Sequence, residues 1–185
     1  MFHDYIYMSR IGKKPVAIPQ GVTITVDKNL VSVKGPKGAL KFEHHEDVAI
    51  EISPETILVA KVGKGKNAPA IWGTTARIIE NMFEGVTVGF KKQLELNGVG
   101  FRMAVAGKKI NLALGFSHPV EVQIPETLEV IIEGNTMTVS GIDKHEVGQF
   151  SANIRALKPV EPYKGKGFKY TGEHVRRKEG KKSSK

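Results

Sequence analysis

A serine two residues after a glycine and next to a histidine is the first candidate for chemistry in this chain. Gly115-Phe116-Ser117-His118-Pro119 has the outline of a nucleophile elbow. Such an elbow needs a closing glycine and a strand-to-helix turn. Here the closing residue is Pro119, and both flanks read as strands. Phosphate loops fare no better. Gly107-Lys108-Lys109 lacks the upstream glycine and the hydroxyl of a nucleotide cradle, and Gly98-Val99-Gly100 lacks the third glycine of a dinucleotide fingerprint. The six histidines (3, 44, 45, 118, 145 and 174) never fall at i, i+4 on a helix, and there is no cysteine. No zinc site is therefore expected. The carboxylates are scattered along strand edges and turns, where solvated faces are the ordinary outcome. The expectation is a protein that is not an enzyme and holds no cofactor or metal.

The chemistry that remains is cationic. The net charge is +9, from 28 Lys+Arg and 19 Asp+Glu. Residues 163–185 hold Lys164, Lys166, Lys169, Arg176, Arg177, Lys178, Lys181, Lys182 and Lys185 against Glu173 and Glu179 alone. That segment carries +7 and the other 162 residues only +2. Such asymmetry points to a polyanionic partner. Lysines and arginines neutralise phosphates and release counterions, and Arg176-Arg177 can add bidentate contacts. Gly165, Gly167, Gly172 and Gly180 let the backbone approach a surface closely. Tyr163, Phe168 and Tyr170 either stack on unpaired bases or pin the segment to its own domain. A solubilising tail is the competing reading, but it needs neither the aromatics nor the glycines. Asn97-Gly98-Val99-Gly100-Phe101-Arg102 is a weaker candidate, and Arg10, Lys13 and Lys14 form a second small basic patch.

The elements that must position these groups come in two series. Val22–Val26, Leu30–Lys34 and Ala39–Phe42 alternate as strands, with Gly35-Pro36-Lys37-Gly38 as a hairpin connector; Val48–Ile52 and Ile57–Val62 follow. The period then changes. Asn67 can cap a helix, Pro69 sits in its first turn, and Ile71, Thr75, Ile78 and Met82 line one face to an end near Gly85. A second series repeats the plan: strands over Phe90–Leu96, Phe101–Ala106, Lys109–Leu114, Val120–Ile124, Leu128–Ile132 and Met137–Ser140, then a helix from Asp143 to about Lys158, stopped by Pro159. Asp143 with Glu146 has the spacing of a capping box. Trp72 with Phe150, Arg77 with Arg155, Val59 with Val139 and Gly35 with Gly115 align the halves at an offset of about 80, the mark of internal duplication. Two unrelated α+β halves are the alternative. The expected fold class is α+β: two tandem copies of a small antiparallel or mixed sheet with one packed helix, plus a basic C-terminal tail. The expected divisions are an extension at 1–7, repeats at 8–88 and 89–162, and the tail at 163–185.

No apolar run approaches the roughly 18 residues of a membrane helix, and no signal or transit peptide is read at the start. A cytoplasmic protein is expected.

From Met8 onward the sequence resembles the sixth large-subunit ribosomal protein of bacteria and organelles. The resemblance rests on MSRIGKKPV, GVTITV with VSVKGPKGAL, ELNGVGFR, and the tail EPYKGKGFKYTGEHVRRKEGKK. Val160, Phe168 and His174 depart from that family's usual residues. The resemblance implies two tandem copies of one α+β fold and a structural role in the large subunit. It implies binding to 23S-type rRNA near the sarcin–ricin region and the stalk base, beside neighbouring ribosomal proteins and close to where translational GTPases dock. Carried over, the rRNA contacts fall on Tyr163, Lys164, Gly165, Lys166, Gly167, Tyr170, Arg176, Arg177 and Lys178, with Lys181 and Lys182 as further phosphate contacts; Lys169 of the basic segment and Arg102 of the glycine loop join them as expected rRNA-binding residues on their charge. The protein is expected to sit on a cytoplasmic or plastid ribosome, with no homo-oligomer and no membrane partner.

Overall fold

The computed structural model describes residue 12 and residues 14–180. The extension at 1–7, Arg10, Lys13, Lys181, Lys182 and Lys185 lie outside the described residues. One compact unit ends at Gly89 and a second begins at Phe90.

The first unit runs β1 (Val16–Ala17), β2 (Thr23–Asp27), β3 (Leu30–Gly35), β4 (Gly38–Glu43), β5 (Val48–Ile52), β6 (Thr56–Lys61) and α1 (Ala68–Thr87). Its strands form two three-stranded antiparallel sheets, in the orders β1-β6-β5 and β2-β3-β4. Alternation decides which side of each strand faces inward. In β3, Val31 and Val33 are fully buried while Leu30 and Lys34 are exposed. Helix α1 presents Trp72, Ala76, Ile79, Phe83 and Val86 to the same core, and the Trp72 indole N–H donates to Val59 O at 2.5 Å. Asn67 makes no side-chain cap. The helix runs on past Gly85, itself buried, to Thr87 with Val88 as its C-cap, and is closed by Gly89, whose φ of +80° is the left-handed conformation glycine tolerates best and whose N–H bonds Glu84 O.

The second unit runs β7 (Phe90–Asn97), β8 (Arg102–Ala106), β9 (Lys109–Ala113), β10 (Val120–Gln123), β11 (Leu128–Glu133), β12 (Thr136–Gly141), α2 (Lys144–Leu157) and β13 (Gly167–Tyr170). Its sheets have the orders β10-β9-β8 and β11-β12-β7-β13. Strand for strand this repeats the first unit: β7-β12-β11 has the connectivity of β1-β6-β5, and β8-β9-β10 that of β2-β3-β4. Each copy thus divides its strands between two sheets, where a single sheet was expected. β13 has no counterpart in the first copy.

The correspondence between copies differs in two places from the sequence alignment. Val59 and Val139 do occupy matching buried positions on β6 and β12. On β9, however, buried Ile110 and Leu112 take the places of Val31 and Val33, which sets Gly35 against Leu114 and not Gly115. The buried helical quartet Trp72, Thr75, Ala76, Ile79 has the spacing of Val147, Phe150, Ser151, Ile154. Trp72 therefore matches Val147, because the β12–α2 connection is shorter than the β6–α1 connection.

The capping box forms by half. Asp143 accepts the His145 N–H at 2.8 Å, while Glu146 accepts from the Thr127 hydroxyl at 2.6 Å instead of turning back to the cap. Among the described residues, no helix is long and apolar enough to cross a membrane.

Candidate nucleic-acid interface

The basic segment begins inside the fold. Gly-Phe-Lys-Tyr alternates, and Gly167–Tyr170 pairs antiparallel with β7 in the register Gly167↔Asn97, Phe168↔Leu96, Lys169↔Glu95, Tyr170↔Leu94. Alternation sends Phe168 inward, where it is 0% exposed among Leu94, Leu96, Phe150 and Ile154. Its N–H donates to Lys158 O at 2.8 Å. Gly167 is obligatory here. Its φ is +126°, and a Cβ would stand 2.6 Å from the carbonyl oxygens of Lys158 and Pro159.

The chain on either side of β13 is closed by backbone bonds. Glu161 N–H donates to Lys166 O at 2.9 Å, Thr171 N–H to Gln93 O at 3.1 Å, and Lys178 N–H returns to Pro162 O at 2.9 Å. Residues 163–177 are thus a loop whose ends meet on a folded base.

Two acids hold that loop from within. Glu173 accepts from the Tyr170 N–H at 2.9 Å and receives the Arg155 guanidinium through both oxygens, at 2.6 and 3.3 Å. That hydrogen bond to Arg155, and then the Tyr170 N–H, keep the Glu173 carboxyl below the usual carboxylate range. Glu95 on β7 meets Lys169 at 2.7 Å, and the hydrogen bond from Lys169 likewise holds it low. Tyr170 is half-buried, with the cations of Lys92 and Arg155 each 5.6 Å from its ring centre.

The segment's described cations therefore divide into two groups. Lys169 is neutralised by its own fold. Lys164, Lys166, Arg176, Arg177 and Lys178 have no carboxylate partner among the described residues, and all but half-buried Lys166 are exposed. The Arg177 guanidinium passes beside Gly165 (φ +69°), so Gly165, Arg176 and Arg177 line one groove with Asn97 and His174. Tyr163, at the start of the loop, is 58% exposed. Arg102 is exposed at the start of β8, in the other sheet of this unit. Of the sequence candidates, Gly167, Lys169 and Tyr170 belong to β13, while Tyr163, Lys164, Arg176, Arg177 and Lys178 are exposed beside it in the chain. Arg155, Glu173 and Glu95 were missed as positioning residues. The isolated Glu173 within a basic run was the available signal.

Ser117 lies in the β9–β10 connection, with its hydroxyl 3.5 Å from His118 Nδ1. His44 is buried and turned to its neighbour's carbonyl, His45 O, at 3.0 Å.

The family model for ribosomal protein L6 matches residues 18–89 and 97–171, one stretch in each unit. The large ribosomal subunit protein uL6 of Bradyrhizobium sp. (strain ORS 278) is 52% identical over 176 residues, covering 95% of this chain and 99% of the relative. That of Shouchella clausii (strain KSM-K16) is 51% identical over 175 residues, covering 94% and 98%. That of Alkaliphilus metalliredigens (strain QYMF) is 52% identical over 176 residues, covering 94% and 98%. With most of its length matched in both units, the chain belongs to the ribosomal protein L6 family, a family of structural, non-enzymatic proteins.

Proposed function

We propose that this protein, as a constituent of the large ribosomal subunit, binds 23S-type rRNA near the sarcin–ricin region and the stalk base and there supports the translation-factor site. The observation that carries the reading is the set of five cations, Lys164, Lys166, Arg176, Arg177 and Lys178, held without acid partners on a loop closed at Pro162 and Lys178. Fixed cations bind phosphates with less ordering entropy than a free tail would lose. Arg102, Lys181 and Lys182 are further proposed phosphate contacts, Tyr163 and Gly165 are proposed contacts of the same loop, and Gly167, Lys169 and Tyr170 support it. Neighbouring ribosomal proteins at the stalk base and nearby translational GTPases are the proposed partners, and the cytoplasm is the proposed compartment. Crosslinking from Tyr163 or Lys164 within assembled subunits tests the placement. Adducts in the sarcin–ricin region or stalk base support it, and adducts confined to remote rRNA would refute it. Co-sedimentation with the large subunit at high salt separates it from a general polyanion binder, which would wash off.

A further inference from the structure

We propose that Phe116, Phe101 and Lys158 form a stacking site for one unpaired RNA base beside the phosphate-binding loop, an inference that rests on the RNA-binding reading above. The two glycine-rich segments that lack any catalytic arrangement converge here. In the β7–β8 connection, Gly98 (φ +151°) and Gly100 (φ +82°) fold the chain around Phe101; in the β9–β10 connection, Gly115 (φ +76°) meets the same ring. A Cβ on Gly98 would stand 2.4 Å from the Phe101 ring, and one on Gly115 3.1 Å from it. Both loops are therefore built to seat that aromatic. Lys158 closes the group. Its ammonium lies 4.9 Å from the Phe116 ring centre and 6.0 Å from that of Phe101. Its backbone carbonyl is fixed by the Phe168 N–H and packed beneath Gly167. The same strand that anchors the basic loop thus anchors this lysine.

Phe116 is 46% exposed and Val99, on the neighbouring loop, 92%. A single exposed aromatic is ordinary. This one carries a cation over its ring and has exposed Arg102 next to its partner Phe101 in sequence. An exposed aromatic ring with an ammonium beside it suits a nucleotide, whose base stacks while its phosphate meets the cation. A protein partner would need apolar area, which one ring and one valine do not offer.

The test uses the full chain and two probes: a short single-stranded oligoribonucleotide carrying one 2-aminopurine, and a blunt RNA duplex of equal length. Phe116→Leu should weaken single-strand binding by about 5- to 150-fold, the range for removing one aromatic–base stack. It should abolish the 2-aminopurine quench, leave the salt slope unchanged and leave duplex binding as it was. Phe116→Tyr should bind as the parent does. Unchanged single-strand binding by Phe116→Leu, while cation substitutions still lower the salt slope, would overturn the stacking site alone. Impaired subunit incorporation by Phe116→Leu with RNA binding intact would assign the ring to a protein contact and overturn it also. Failure of the parent chain to bind the single-stranded probe would overturn the stacking site, whereas failure to bind deproteinised large-subunit rRNA as well would overturn both readings.

Discussion

Phe168→Ala separates a basic arm laid on a finished domain from an arm that completes the domain. Phe168 is 0% exposed and contributes to the second core cluster from β13. Emptying such a site costs about 3–5 kcal/mol. A domain the size of the second unit, Phe90–Lys185, shifts its Tm by about 4–8 °C per kcal/mol, so the expected loss is about 12–40 °C. If β13 were only a clip, the substitution would free the loop and leave the melting of the remaining strands unchanged. The assay is thermal unfolding by far-UV circular dichroism, with hydrogen exchange read at Phe168 and Thr171, whose N–H groups bond Lys158 O and Gln93 O. Trp72, the single tryptophan, lies in the first core and gives an internal control. The emission transition should stay in place while the second unit's transition falls. A Phe168→Ala protein whose second unit melts within about 4 °C of the parent would refute the reasoning.

Further substitutions probe the supports. Glu173→Gln should cost about 1 kcal/mol at neutral pH in urea unfolding, because Arg155 and the Tyr170 N–H lose a charged acceptor that is only partly exposed. The folded pKa of Glu173 is lowered, so its contribution is complete above the unfolded carboxylate pKa and fades as pH falls through the folded value; the parent and Glu173→Gln should converge in stability once acid protonates Glu173 in the folded state. Gly167→Ala should destabilise as severely as Phe168→Ala, since its Cβ would strike two backbone carbonyls, and it should be detected in the same melt. Trp72→Phe should cost about 1–3 kcal/mol by leaving the Val59 carbonyl unpaired, measured by chemical denaturation of the first unit. Asp143→Ala should cost about 1 kcal/mol by removing the α2 cap.

Much of the fold was legible because its signals are local. Helical period, strand alternation and the order of elements gave both units and their duplication. What escaped was decided by contacts distant in sequence. β1 has two residues, too few to show alternation, and becomes a strand only by pairing with Ile57 and Thr56. β13 hides because lysines and glycines surround it and only Phe168 is fully buried on its inner side; its strand character comes from the open edge of β7. The equivalence of the two helices slipped because the connections preceding them differ in length, which no single residue reveals. At the candidate site, the number of cations was readable but their availability was not. Lys169 pairs with Glu95, and Arg155 of α2 pairs with Glu173 across 18 positions.

Deleting residues 163–185 would remove β13 and confound folding with binding, so the central claim is tested by substitution. The measurement is the salt dependence of binding to deproteinised large-subunit rRNA for the chain with Lys164, Lys166, Arg176, Arg177 and Lys178 all changed to Gln. The expected result is an unaltered melting profile and a log–log slope shallower by about 3.5–4.5, at roughly 0.7–0.9 per lost phosphate contact. A variant that binds with the parent's affinity and the parent's slope would show that these five cations do not face RNA.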